Sequence, residues 1–363
     1  GWYDSSVMLL NAPWGETLHW TRLCDLVIAT PTVFLQPFLG LHDTVWLTGL
    51  WISPLLELLA ILGLIWGLRL HLAPLPILLV LALFTLQPSI VGVFLPARPD
   101  HHGLQVVLEI WVLAGLTRGG VNAAVVAGCA AALALWVSSE ALLLIMAAGL
   151  ALGLSWIVEG ESERKPLLSF LAALATGVVL ALAIERPPSD WLVLEYDRLS
   201  LVQVGLCWIL LGSAVWMLIG NDWANSWQKR LLLAVGMAGQ AAGLLILFFP
   251  QFFAGPYGNL DPRLVPVWFS LVKEAQPLTF GPKAVVLIAP PLLGLAYAFW
   301  RLRFQDERRL LMPWLCALLV YIPATFYQVR VAAFAEAADI LPWALLILAA
   351  MRLRFARVLL VPL

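Results

Sequence analysis

The sequence predicts an all-α polytopic membrane protein, a bundle of about eleven or twelve transmembrane helices with long loops at one end. Three observations predict it. Of 363 residues, 62% are hydrophobic and only 12% are charged, with a mean hydropathy of +0.92. No soluble domain hides that much apolar surface. The apolar residues also come in runs near the ~20 residues that cross a hydrocarbon layer. Finally, the charges between the runs segregate by sign onto two sides.

The runs fall at about 45–68, 72–97, 103–117, 120–137, 139–158, 167–185, 199–219, 230–250, 282–301, 309–327 and 333–352. The first stops at Arg69, and the second at a polar island, Arg98-Pro99-Asp100-His101-His102. The third stops at Arg118, and the sixth follows Arg164-Lys165. Lys229-Arg230 opens the eighth; the ninth contains Pro290-Pro291 and ends at Arg301 and Arg303. Arg308-Arg309 opens the tenth, and Arg352 closes the last. Residues 23–41, with Pro31 and Pro37 inside, are a further apolar stretch that spans or lies on the outer surface; charge placement favours the surface.

Six runs separate the Asp100 loop from a second polar island, Lys273-Glu274-Ala275-Gln276-Pro277. Six is even, so both islands face one side. The loops of the other side carry Arg69, Arg118, Arg164, Lys165, Lys229, Arg230, Arg301, Arg303, Arg308, Arg309, Arg352, Arg354 and Arg357, which are 13 of the 21 basic residues. By the positive-inside rule that side is cytoplasmic, and the islands face outward. Asp4, Glu16, Asp25, Asp43, Asp100, Asp190, Glu195, Asp197, Asp261 and Glu274 gather opposite the basic loops. The outer loops are about 1–22, 98–102, 186–198 and 251–281.

A formal net charge of −1 and the lack of a long basic run speak against nucleic-acid binding. Cys24, Cys129, Cys207 and Cys316 stand singly in apolar stretches and read as small core residues. The 18 tryptophans suit interfacial anchoring and sugar stacking alike, and anchoring is the commoner role. No Walker loop, dinucleotide fingerprint, HExxH or GxSxG occurs. A group transferred on the outer face must therefore arrive already activated, carried by a membrane lipid.

Asp100 and His102 pair a carboxylate with an imidazole two residues away, a donor set for Mn or Mg. The structural alternative is that Asp100 caps the helix that follows. Two histidines after it are unnecessary for capping. Glu274 lies in an amphipathic stretch after Gly255, Pro256, Gly258, Asp261 and Pro262, placed to fold over a pocket or to pair with Lys273 in solvent. Arg330 breaks the charge bias at the outer end of a span and suits phosphate, or snorkels. Glu140 and Glu195-Tyr196-Asp197-Arg198 read more simply as a helix start and a capping cluster.

Together these residues resemble the catalytic subunit of oligosaccharyltransferase and, more widely, the GT-C glycosyltransferases. Asp100-His101-His102 looks like the DHH motif of archaeal members, and Leu271–Phe280 is similar to the fifth-loop motif of the SVSEHQPTTW type. Asn11-Ala12-Pro13-Trp14-Gly15 with Leu18-His19-Trp20-Thr21-Arg22-Leu23-Cys24-Asp25-Leu26 resembles the latter part of the first outer loop. The resemblance implies a single GT-C-like transmembrane domain over 1–363. It places a first helix and a catalytic aspartate upstream of Gly1. By the same resemblance Asp100 and His102 are ligands of a divalent metal (Mn or Mg), and Glu274 holds the acceptor. Arg330 contacts the donor phosphate, with Arg98 beside it. Lys273 and Ala275 depart from the motif's serine and histidine, and the chain has no WWDYG sequon-binding motif. The acceptor is therefore open: lipid, saccharide or protein.

The reading is a metal-dependent glycosyltransferase moving a sugar or glycan from a polyprenyl phosphate or diphosphate, with inversion. It would sit in a bacterial inner membrane with the site facing the periplasm. The rival is a transporter or lipid-carrier flippase, which predicts ionisable residues at mid-membrane depth and matched broken helices. Here the charges read as lying at span ends, and Pro290-Pro291 is the feature that best favours the rival.

Overall fold

A computed structural model describes the chain except for residues 1, 11, 19–20, 219–222, 256–257, 259–260 and 360–363, and the side chains of 17, 306 and 353–359. Asn11, His19, Trp20 and Pro256 thus lie outside the described residues, as do the side chains of Arg354 and Arg357. Each of the apolar runs folds as helix. In order these are α1 (Arg22–Leu39), α2 (Leu41–Leu68), α3 (Pro74–Leu86), α4 (Pro88–Val93), α5 (His101–Arg118), α6 (Val121–Val137) and α7 (Ala141–Glu159). Then follow α8 (Glu161–Glu185), α9 (Leu201–Leu218), α10 (Trp227–Phe248), the short α11 (Leu264–Val267), α12 (Pro282–Arg301), α13 (Gln305–Tyr327) and α14 (Ala332–Leu359). Among the described residues, nine helices are long and apolar enough to cross a membrane, and α3 and α6 are shorter apolar helices. The chain is an all-α integral membrane protein.

At the centre stands α5, buried on every face, as a helix enclosed by neighbours must be. Small residues let those neighbours close in. A methyl group added at Gly67 of α2 would lie 2.6 Å from the Ala114 side chain of α5. One added at Gly128 of α6 would collide with the Phe170 carbonyl of α8.

The helix α1 does not cross the bundle. The backbone N–H of its first residue, Arg22, donates to Glu185 at the end of α8 (2.9 Å). Only Gly40, with φ +76°, separates α1 from α2. Residues 50 and 53 of α2 already bond the Ala97–Arg98 backbone at that same end. Both ends of α1 are therefore tied near one end of the bundle, as the charge placement led us to expect.

The run 72–97 is not the one continuous helix that the sequence suggested, but two in succession. Pro88 cannot donate a helical hydrogen bond, so the helix breaks there into α3 and α4. Glu336 of α14 satisfies the exposed start of α4: its carboxylate accepts from the Ser89 N–H and the Ser89 hydroxyl, both at 2.8 Å. Nor do the charges all lie at span ends. Glu109 in the middle of α5, and Glu336 and Asp339 in α14, are almost fully buried. Asp339 packs so tightly on α12 that a methyl at Gly294 would overlap its Oδ1.

The end opposite the polar islands is laced by arginines. Arg309 pairs with Glu163, Arg308 with Glu159 (3.7 Å), and Arg230 donates to the Ile157 carbonyl (2.9 Å).

Candidate metal and donor site

Asp100 has an extended backbone and caps α5, its carboxylate accepting the His102 N–H at 3.3 Å. The capping role thus exists, and the same Oδ1 does more. It lies 2.9 Å from His101 Nδ1 and 3.0 Å from His102 Nδ1, drawing the two rings to a centroid separation of 4.0 Å. Burial works against ionisation of Asp100, but hydrogen bonds from both imidazoles outweigh it and hold the carboxyl well below the usual carboxylate range. Arg98 braces the other oxygen at 3.3 Å and donates to the Gly92 carbonyl at 2.6 Å. Ser53 of α2 bonds the Arg98 carbonyl, so two neighbouring helices fix the turn before α5.

One donor atom from each of Asp100, His101 and His102 lies within 4.8 Å of the others. The Nε2 of His102 is buried with no hydrogen-bond partner. An orphaned imidazole nitrogen beside a carboxylate and a second imidazole fits a divalent transition metal. His101 joins the donor set here, although the sequence pointed only to Asp100 and His102.

The second island is brought to the first by backbone pairing. Val329 N–H donates to the Gln276 carbonyl (3.0 Å) and Leu278 N–H to the Phe326 carbonyl (3.2 Å), pinning the loop against the α13–α14 turn. Gln276 also donates to the Phe269 carbonyl at 2.6 Å. Glu274 then sits in a 3-10 turn (Lys273–Ala275), lining a cavity. In the same turn region Arg330 donates to Glu140, just before α7, at 2.8 Å, with both side chains largely buried. The simple helix-start reading of Glu140 missed this partner. His102 feels the charges of Glu140 and Glu274 as well as that of Asp100. Elements six helices apart in sequence therefore converge.

They converge on a cavity of about 1540 Å³. Its mouth carries His101, Glu140, Glu195, Arg198, Glu274 and Arg330, and Glu16 and Asp197 also line it. Asp100 and His102 stand behind His101, and Arg98 is not in the lining. The body of the cavity is apolar and follows α7 from Glu140 to Ile157, a rise of roughly 25 Å at 1.5 Å per residue. Gly149 and Gly153 of α7 face it, and Ala234, Ala238 and Ala241 of α10 leave room opposite. Carboxylates outnumber arginines in the lining, so an anionic ligand needs a cation beside it to balance the charge.

Glu195 also does more than the capping role its sequence suggests. Burial opposes its charge, but Arg198 and Arg186 hold its carboxyl down at about 2. A depressed carboxylate stabilises the fold above its unfolded value (~4.3), and that stability is lost as pH falls through about 2. Glu195→Gln should therefore flatten the acid branch of a melting-temperature profile between these values, leaving the neutral region with a uniform offset.

Comparison of the fold gives a consistent answer. Over 98% of its length the chain superposes on the archaeal oligosaccharyltransferase AglB from Archaeoglobus fulgidus in complex with an inhibitory peptide and a dolichol-phosphate, with a TM-score of 0.73 and 14% identity. The apo form of the Archaeoglobus fulgidus enzyme gives 0.69 at 14% identity over 98% of the chain. Its complex with Zn and sulfate gives 0.62 at 15% identity over 99%. The chain has a GT-C-like fold. It covers only 45%, 45% and 43% of those chains, and at such identity the likeness speaks for the fold alone. No protein-family model and no curated protein sequence matches it.

Proposed function

We propose that this chain is a metal-dependent glycosyltransferase that takes its sugar from a polyprenyl-linked phosphate donor at the outer membrane face. The observation that carries the reading is the form of this one cavity. It joins a polar mouth beside the Asp100-His101-His102 cluster to an apolar groove nearly as deep as a membrane's hydrocarbon layer is thick. A polyprenyl chain bearing a phosphate is a ligand class that needs both.

In this reading the α7–α10 groove holds the lipid, and Arg330, steadied by Glu140, binds the phosphate. Glu274 accepts a hydrogen bond from the acceptor and orients it. Asp100 and His102, with His101, hold a divalent Mn or Mg; when bound it supplies Lewis-acid neutralisation of charge on the leaving lipid phosphate. The bond from the anomeric carbon to the phosphate oxygen breaks as the acceptor's bond forms on the opposite face; the acceptor's proton passes to Glu274, and the lipid phosphate leaves with the bonding electron pair, held by Arg330. Inversion is the expected outcome. The charge segregation supports a site facing away from the cytoplasm, the periplasm if the membrane is a bacterial inner membrane.

Buried Glu109, Glu336 and Asp339 and the break at Pro88 are features that the transporter reading also uses. None of these acids lines the cavity, however, and Glu336 is accounted for by α4. The test is Mn²⁺ titration calorimetry on detergent-purified protein, followed by transfer from a polyprenyl-linked sugar. Saturable Mn²⁺ binding, lost in His102→Ala, is expected. Absence of Mn²⁺ and Mg²⁺ binding in the wild type would sink the metal-dependent reading.

A further inference from the structure

The inner end of α12 carries a charged turn of its own, on the membrane side opposite the cavity mouth. Along one face of this spanning helix Val285, Val286, Leu292, Leu293 and Phe299 are exposed, recurring in steps of seven as one helical stripe does. In a membrane such a stripe meets acyl chains. It ends on exposed Trp300, and just beyond it the turn into α13 presents Arg301, Arg303 and Phe304.

The turn is held from several directions. Trp300 and Phe304 meet edge to face at 6.1 Å. The Arg303 guanidinium lies 4.2 Å from the centre of the Trp300 ring and 4.7 Å from that of Phe304. Arg301 lies against the same two rings, at 5.5 and 4.9 Å, and pairs with Glu307. Arg308 donates to the Leu302 carbonyl at 3.0 Å and reaches Glu159 at the end of α7. Arg303 itself is exposed, and among the described side chains, which exclude that of Asp306, it pairs with no carboxylate. Arg301, Arg303 and Glu307 therefore sum to +1, with the uncompensated charge on Arg303.

We infer that this turn is a docking site for the headgroup of an anionic phospholipid of the cytoplasmic leaflet, with an acyl chain laid along the α12 stripe. Two observations favour a phospholipid over a soluble phosphate. The segregation of basic residues puts this end of the bundle at the cytoplasmic leaflet, whose anionic lipids attract arginines beside a span. The unpaired guanidinium also stands at the end of an exposed apolar stripe, so one amphipathic molecule satisfies both. The two rings hold the planar fork of Arg303 before the lipid arrives, which lowers the ordering cost of binding. None of these residues lines the large cavity, so the inference stands independently of the donor reading.

The test is lipid binding read by native mass spectrometry on the detergent-purified full chain. Short-chain phosphatidylglycerol and phosphatidylcholine are titrated separately, with glycerol 3-phosphate as the headgroup alone. Wild type should bind its first phosphatidylglycerol about fivefold more tightly than phosphatidylcholine, the scale of one basic residue at a membrane surface. Arg303→Ala should erase that preference and leave phosphatidylcholine binding within about twofold. Its melting temperature should match wild type, because the side chain is exposed. Lys165→Ala, which removes an exposed charge elsewhere on the same side, should keep the preference. No preference in wild type, a preference that survives Arg303→Ala, or an equal loss in Lys165→Ala would overturn the inference. Glycerol 3-phosphate binding as tightly as phosphatidylglycerol would overturn the lipid assignment.

Discussion

Asp100→Ala is expected to abolish Mn²⁺ binding and to lower glycosyl transfer by roughly 10³-fold, the loss seen when a group stabilising transition-state charge is removed. Four contacts converge on this carboxylate: the His102 N–H, the two imidazole Nδ1 atoms and the Arg98 guanidinium. Removing it takes away one donor and releases both rings. Part of the effect is structural, because losing an N-cap costs about 1 kcal/mol. Asp100→Asn separates the two roles, since asparagine caps as well as aspartate does but carries no charge. It should keep the cap and melt above Asp100→Ala, and still lose Mn²⁺ binding on calorimetry. Mn²⁺ affinity unchanged in Asp100→Asn would place any metal elsewhere.

Arg330→Ala should have the next largest effect, roughly 10²-fold or more on transfer, with a clear loss of stability. The arginine is paired with Glu140, and both side chains are mostly enclosed. Deleting one partner leaves the other carboxylate uncompensated near Glu274 and the Asp100 cluster, at a cost of about 1–3 kcal/mol for a pair that is not fully buried. Adding Glu140→Gln removes the stranded charge. The double variant should therefore recover most of the melting temperature while donor binding stays lost. Recovery of donor binding in the double variant would make Arg330 a structural partner of Glu140 and nothing more.

Much of this architecture is legible in the residues. Spans of apolar residues announce helices because a hydrocarbon layer tolerates no unsatisfied backbone. Counting six of them puts Asp100 and Glu274 on one side. The surface position of α1 follows from charge placement. The break at Pro88 is also open to view, since a proline inside a helix has no N–H to donate. The apolar run that continues on both sides conceals it, because hydropathy alone does not register a missing N–H. Glu109, Glu336 and Asp339 escape notice for a similar reason: one acid in a long apolar window hardly changes its mean.

What the sequence by itself determined is the class of molecule, the membrane side shared by the two islands, and the residue types of a metal-capable motif. Those follow from composition and local order, which act over one helix at a time. Only the tertiary structure decided that Arg330 meets Glu140, that His101 joins Asp100 and His102, and that Arg198 reaches the same cavity. These include contacts between side chains as many as 190 residues apart, set by how helices pack and how one loop pairs with the α13–α14 turn. The long groove beneath them has the same origin. It is the space left where small residues of α7 and α10 face each other, and no single helix encodes it.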